Sequence, residues 1–147
     1  MDFNVFMREI NLIKRERPSL FELERDAIVS DDVVDTFEQF YGIKFADSYR
    51  KVMKNIGGGY FGFIVIYSLD ANGSFYLKSN VTKEMIESMQ MLPVIDLETG
   101  DYIGYEINDG QCTEKLFVWD HDENRKIEIQ EDFYSVLINR GLKNIID

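Results

Sequence analysis

The sequence has 147 residues, 45% of them hydrophobic and 29% charged, with a formal net charge of −11. This is enough chain to bury a core as a single domain over residues 1–147, too apolar to stay disordered, and too acidic to grip nucleic acid or an anionic membrane directly. Cys112, the lone cysteine, excludes an intramolecular disulfide, and the start MDFNVFMREINLIKRERP lacks a basic segment followed by an apolar one, so a cytoplasmic chain is expected.

Residues 3–16 place Phe3, Phe6, Met7, Ile10 and Ile13 at three- and four-residue spacing, which predicts an amphipathic helix ended by Pro18. Ser19 and Glu22 have capping-box spacing, so a short helical turn is expected next. Ser30 caps a second helix whose Val33, Val34, Phe37, Phe40 and Tyr41 face inward, with Gly42 as its stop. A third helix is predicted from Ala46 to Ile56, with Tyr49, Val52, Met53 and Ile56 on its apolar face.

From Tyr60 the pattern changes to strands. YFGFIVIY reads as one strand and SFYLKS as a partner; VTKEMIESMQ reads as a short helix. LPVIDL, DYIGYEI, KLFVWD and RKIEIQ read as strands separated by turns at ETG, NDGQ and HDEN. EDFYSVLINRG closes the chain as a helix, with Phe133, Val136, Leu137 and Arg140 placed for one face and Gly141 as its stop. Helices at both ends and short inter-strand turns in the middle predict an α+β fold with mostly antiparallel pairing.

The acid is unevenly spread. Residues 1–57 carry a net −2, residues 58–147 a net −9, and the block 95–132 holds 12 acids against 3 bases. Such a field attracts a basic protein and speeds its encounter, although acidic residues also serve solubility alone.

KNIGGGYFGFIVI, residues 54–66, has the glycines of a phosphate loop in the wrong order. A phosphate loop runs from strand through glycines to a helix N-terminus, whereas these follow a helix and precede a strand, with no Lys-Ser or Lys-Thr after them. They are expected to turn the chain: Gly57 as helix stop, Gly58 and Gly59 as a tight turn with positive φ, and Gly62 for a close backbone approach or a bulge. DHDENRKIEIQE puts Asp120, Asp122, Asn124 and Glu131 at calcium-loop positions one, three, five and twelve, but Arg125 stands where the loop needs glycine, so a hairpin is the better account. His121 is the only histidine, and with one cysteine far from it in sequence no zinc site or nucleophile–histidine pair is assembled. No catalytic residue, metal or cofactor is therefore expected. Trp119 ends the strand LFVW beside Asp120; a core position is the first reading and a binding anchor on an acidic surface the second.

Together these pieces resemble the SUKH superfamily, the Smi/Knr-like domain shared by fungal cell-wall regulators and many bacterial immunity proteins. The resemblance rests on IKFADSYRKVMKNIGGGYFG, VIDLETGDYIGYEINDGQ and LFVWDHDENRKIEIQEDFYSVL, spanning about residues 30–140, with Phe45-Ala46 where the family has Leu-Pro. It implies a sheet of about six strands flanked by helices, and a binding protein and not an enzyme. The implied function is an immunity protein that neutralises a secreted toxin, typically a nuclease, whose basic domain is the expected partner. The alternative is a cytoplasmic adaptor like the fungal members. On this reading the partner-binding surface is Asp96, Glu98, Asp101, Tyr102, Trp119, Asp120, Asp122 and Glu123, with Tyr60 and Phe61 as a flanking patch, on a monomer or weak homodimer.

Overall fold

The computed structural model describes residues 1–145. Its first helix, α1 (Phe3–Glu16), starts where the Asp2 carboxylate accepts the Val5 N–H, and it buries Phe6 and Ile10. Pro18 opens a single 3-10 turn, Pro18–Phe21, which has no side-chain cap. Helix α2 (Asp31–Tyr41) has Ser30 as its N-cap, Asp31 and Asp32 beside its positive end, and Gly42 as its left-handed stop. Helix α3 (Asp47–Asn55) buries Tyr49, Val52 and Met53. All three agree with the sequence pattern except at Phe40, which is not inward: its ring is flanked by the Lys78 and Lys83 ammonium groups at 4.2 and 4.6 Å from its centroid.

The sheet has six strands in chain order: β1 (Gly59–Phe61), β2 (Ile64–Ile66), β3 (Met91–Asp96), β4 (Tyr102–Asn108), β5 (Gln111–Asp120) and β6 (Arg125–Ile129). Every neighbouring pair is antiparallel. Two expectations are corrected here. YFGFIVIY is not one strand but a tight hairpin, β1 and β2, folded at Gly62-Phe63. SFYLKS is not a strand: Ser68 and Tyr76 form an isolated bridge, and Leu77–Asn80 is a short helix, α4. The buried Asp26 carboxylate imposes this, accepting the Ser68 hydroxyl at 2.6 Å and the Phe75 N–H at 2.9 Å. Helix α5 (Lys83–Met89), capped by Thr82, then leads into β3.

The glycine stretch makes the expected helix-to-strand turn, with one correction. Gly57 and Gly59 have positive φ but Gly58 does not; a Cβ there would instead lie 2.6 Å from the Ser68 Cβ. The closing helix, α6 (Phe133–Val136), continues as a π turn over Leu137–Leu142, so Gly141 does not stop it. Gly141 lets the turn sit against β1, where a Cβ would lie 2.9 Å from the Phe61 carbonyl oxygen.

One face of the sheet packs on the helices. Directly paired residues of antiparallel strands point to the same side, so Ile66, Ile95, Ile103 and Val118 form an inward row. Against them lie Phe6 and Tyr134, stacked at 4.8 Å, and Tyr105 with Phe133 at 5.3 Å. The core's largest buried hydroxyls are hydrogen-bonded: Tyr49 donates to the Tyr67 carbonyl at 2.7 Å, and the Tyr105 and Ser48 hydroxyls share a 2.7 Å bond. No helix of the described residues is long and apolar enough to cross a membrane.

Candidate functional site

The opposite face carries a row that runs across all six strands. Tyr60 is paired with Val65, Val65 with Asp96, Asp96 with Tyr102, Tyr102 with Trp119 and Trp119 with Lys126. Four sequence-predicted residues, Tyr60, Asp96, Tyr102 and Trp119, thus share one face although they span 60 residues of chain. Each is partly exposed. Trp119 is not in the core, contrary to the first reading of the sequence; alternation along β5 sends Val118 inward and Trp119 outward. Beside it on this face, Phe117 lies under the Lys126 ammonium, 4.8 Å from the ring centroid.

Phe61 must be removed from this surface. It is 1% exposed and faces inward, against Phe6 and Phe21. Its neighbour Tyr60 has the opposite orientation, with its ring edge-on to Phe75 at 5.3 Å. A period of two forces this split: adjacent strand residues cannot both line one face.

Glu98, Asp101, Asp122 and Glu123 gather at one end of the row, on the β3–β4 and β5–β6 turns, whereas Asp120, the neighbour of Trp119 on β5 and paired with Arg125, alternates to the other side of the sheet. Glu98 accepts the Tyr60 hydroxyl at 3.2 Å, which raises the tyrosine's pKa. Asp96 accepts the Glu98 N–H at 2.7 Å and the Tyr67 hydroxyl at 3.2 Å. Asp101 joins the two turns, accepting both the backbone N–H of His121, at 3.0 Å, and its Nδ1, at 2.5 Å. These bonds hold Asp101 below the usual aspartate range and, with its acidic neighbours, raise His121 above the usual histidine value. Gly100 makes room, since a Cβ there would lie 2.9 Å from the imidazole. Asp122 and Glu123 project furthest, with side chains 83% and 59% exposed.

His121 is the residue that sequence reasoning undervalued. It is 20 positions from Asp101, and only the strand register brings the two together. Asp101, Asp120 and His121 place ligand-type atoms within 4.8 Å of one another. The calcium-loop pattern does not assemble. Asp120 and Arg125 close the hairpin, and Glu131 lies beyond the far end of β6, bonded to Asn139. Not all of the acidic block is available to a partner either. Glu114 holds Ser48, Glu128 pairs with Lys115, and Asp132 caps α6 and binds the N-terminal ammonium.

Away from this face, a concavity of about 550 Å3 lies between α2, α3 and β5. Its central charges are engaged with one another: Arg50 pairs with Asp31, Asp35 and Glu38, and Glu38 also accepts the Phe45 N–H. Cys112 lines it, but burial pushes the thiol up to about 12, so it is no thiolate at neutral pH.

The geometry defines an α+β domain with an aromatic and acidic sheet face, and the sequence of that domain matches a known family. The model of the SUKH family described as SMI1-KNR4 cell-wall matches residues 31–137, and the chain belongs to that family. The match begins at α2 and runs into the closing helical segment. No curated protein is matched by the sequence.

Proposed function

We propose that this chain is an immunity protein, which acts by binding and occluding a basic toxin domain, of the nuclease class, and not by catalysis. The observation that carries the proposal is the cross-strand row. Tyr60, Asp96, Tyr102 and Trp119 share one face, and that face ends at the turns that carry Glu98, Asp101, Asp122 and Glu123. A half-buried tryptophan and two tyrosines supply anchors with little side-chain entropy to lose. The carboxylates at their rim give a basic partner a direction of approach. A nuclease that grips phosphates presents the complementary charge, so an acidic face competes with nucleic acid for the same surface.

The test is a tagged pull-down from the source cells at low and moderate salt, followed by rate measurements on the captured partner. The expected result is one basic partner, bound one-to-one and released by salt. Reversing Asp101 and Asp120 to Lys should lower the association rate about tenfold at low salt. An unchanged rate would refute electrostatic steering. Several partners of mixed charge, insensitive to salt, would instead support an adaptor, the reading that the family's cell-wall description favours.

A further inference from the structure

We propose that β6 is a homodimer edge, pairing antiparallel with β6 of a second copy about a two-fold axis through Ile127. This goes beyond the partner-binding face and does not depend on it. The two edges of the sheet are treated differently. β1 is covered by residues 24–26, through Asp26 N–H to the Gly58 carbonyl at 3.0 Å, Tyr60 N–H to the Glu24 carbonyl at 2.9 Å, and the Arg25–Gly59 bridge. Among the described residues, nothing outside the sheet makes a backbone hydrogen bond to 125–129. An open edge is a template for another strand.

The edge sequence specifies a second copy. With Ile127 opposite Ile127, Lys126 faces Glu128 of the other copy, whose carboxylate, 39% exposed beside Lys115, has an open side for a second cation, and the symmetry repeats that pair. A register centred on Lys126 opposes two lysines, and one centred on Glu128 opposes two glutamates. Of these, only the Ile127 register is complementary in both charge and apolar contact. Ile127 is 45% exposed and borders a groove of about 440 Å3 that Val118 and Ile129 also line, so the second copy's isoleucine has apolar surface to cover. Edge lysines often guard a sheet against pairing. Here Lys126 does not stand out from the edge: its ammonium is drawn back over Phe117 and donates to the Gln90 carbonyl at 2.9 Å.

Each copy carries a net charge of −11, so the dimer should tighten as salt screens the repulsion. Binding of a basic partner to the outer face should weaken with salt, and the two claims fail separately. The test is sedimentation of the whole chain over a range of concentrations at low and moderate salt, with Lys126→Glu and Glu128→Lys measured alone and mixed. Thermal melts check that each variant folds. The wild-type chain should show a concentration-dependent dimer, and each variant alone should dimerise about tenfold more weakly. The equimolar mixture should recover the dimer, because the edge of one variant then carries two acids and that of the other two lysines, and the two-fold register sets them opposite one another. A wild-type chain that stays monomeric at both salts overturns the proposal, as do single variants that dimerise like the wild type or a mixture that does not recover.

Discussion

Replacing Gly62 with alanine tests how the glycine stretch locks the hairpin to the C-terminal turn. Gly62 has φ +61, and an added Cβ would lie 2.2 Å from the Gly141 carbonyl oxygen. That same oxygen accepts the Phe63 N–H at 2.8 Å. Gly42 is the control, because it has φ +67 and nothing within 4 Å of the added Cβ. Both substitutions place an L residue in the left-handed region, at a cost of about 1–2 kcal/mol, partly offset by a stiffer unfolded chain. Gly42→Ala should therefore cost about 1 kcal/mol. Gly62→Ala adds crowding against backbone, about 1–3 kcal/mol, and loss of one hydrogen bond, about 1 kcal/mol. The expected gap between the two variants is about 3 kcal/mol, or roughly 10 °C in Tm for a chain of this size. Urea titrations with an unchanged m-value, alongside thermal melts, would measure it. If the two variants lose equal stability, the contact between Gly62 and Gly141 does not constrain the fold in solution.

Phe61→Ala should cost about 3–5 kcal/mol of stability, while Tyr60→Ala stays within about 1 kcal/mol; chemical denaturation that ranked them in reverse would contradict the assigned faces. Asp101→Asn should return the His121 pKa toward its ordinary value, read from imidazole NMR shifts across pH. The linkage follows: the raised histidine contributes stability fully below pH 6.5 that is lost as pH rises through its folded pKa, and the lowered Asp101 contributes stability above its ordinary 3.8 that is lost as pH falls through its folded pKa. The variant should flatten stability on both flanks, and an unmoved His121 titration would refute the pairing. Cys112 should react slowly with a thiol reagent at neutral pH and rapidly in urea, because burial holds its pKa at about 12; equal rates would show that the thiol is open to solvent.

The long helices were legible from apolar spacing and, for α2, from its Ser30 cap; Asp2, Thr82 and Asp132 each accept an N–H three residues on in the same way, a local signal the sequence also carries. The strands from β3 onward were legible from their turns. Two elements were not. In YFGFIVIY the apolar residues run through Gly62 without a break, so composition hides a hairpin that only the positive φ at Gly62 reveals. In SFYLKS the alternation is real, but Asp26, about 50 residues earlier, takes the Phe75 N–H and fixes the loop. Tertiary contacts override a short local pattern in both cases.

The candidate face shows where sequence reasoning can reach further. Asp109-Gly110 makes a two-residue hairpin, with φ +52 and +76, and it pairs Asn108 with Gln111. An unbroken register from that turn would set Tyr102 opposite Phe117 and Asp101 opposite Val118. The observed register slips by two between Ile107 and Tyr105, so Tyr102 meets Trp119. A slip of two keeps every side chain on its own face but changes its partner. The irregularity is what carries Asp101 down to His121 and sets the second tyrosine beside the tryptophan. Alternation within each strand decides which side chains share this face, and it excludes Phe61, while the bulge decides which of them touch.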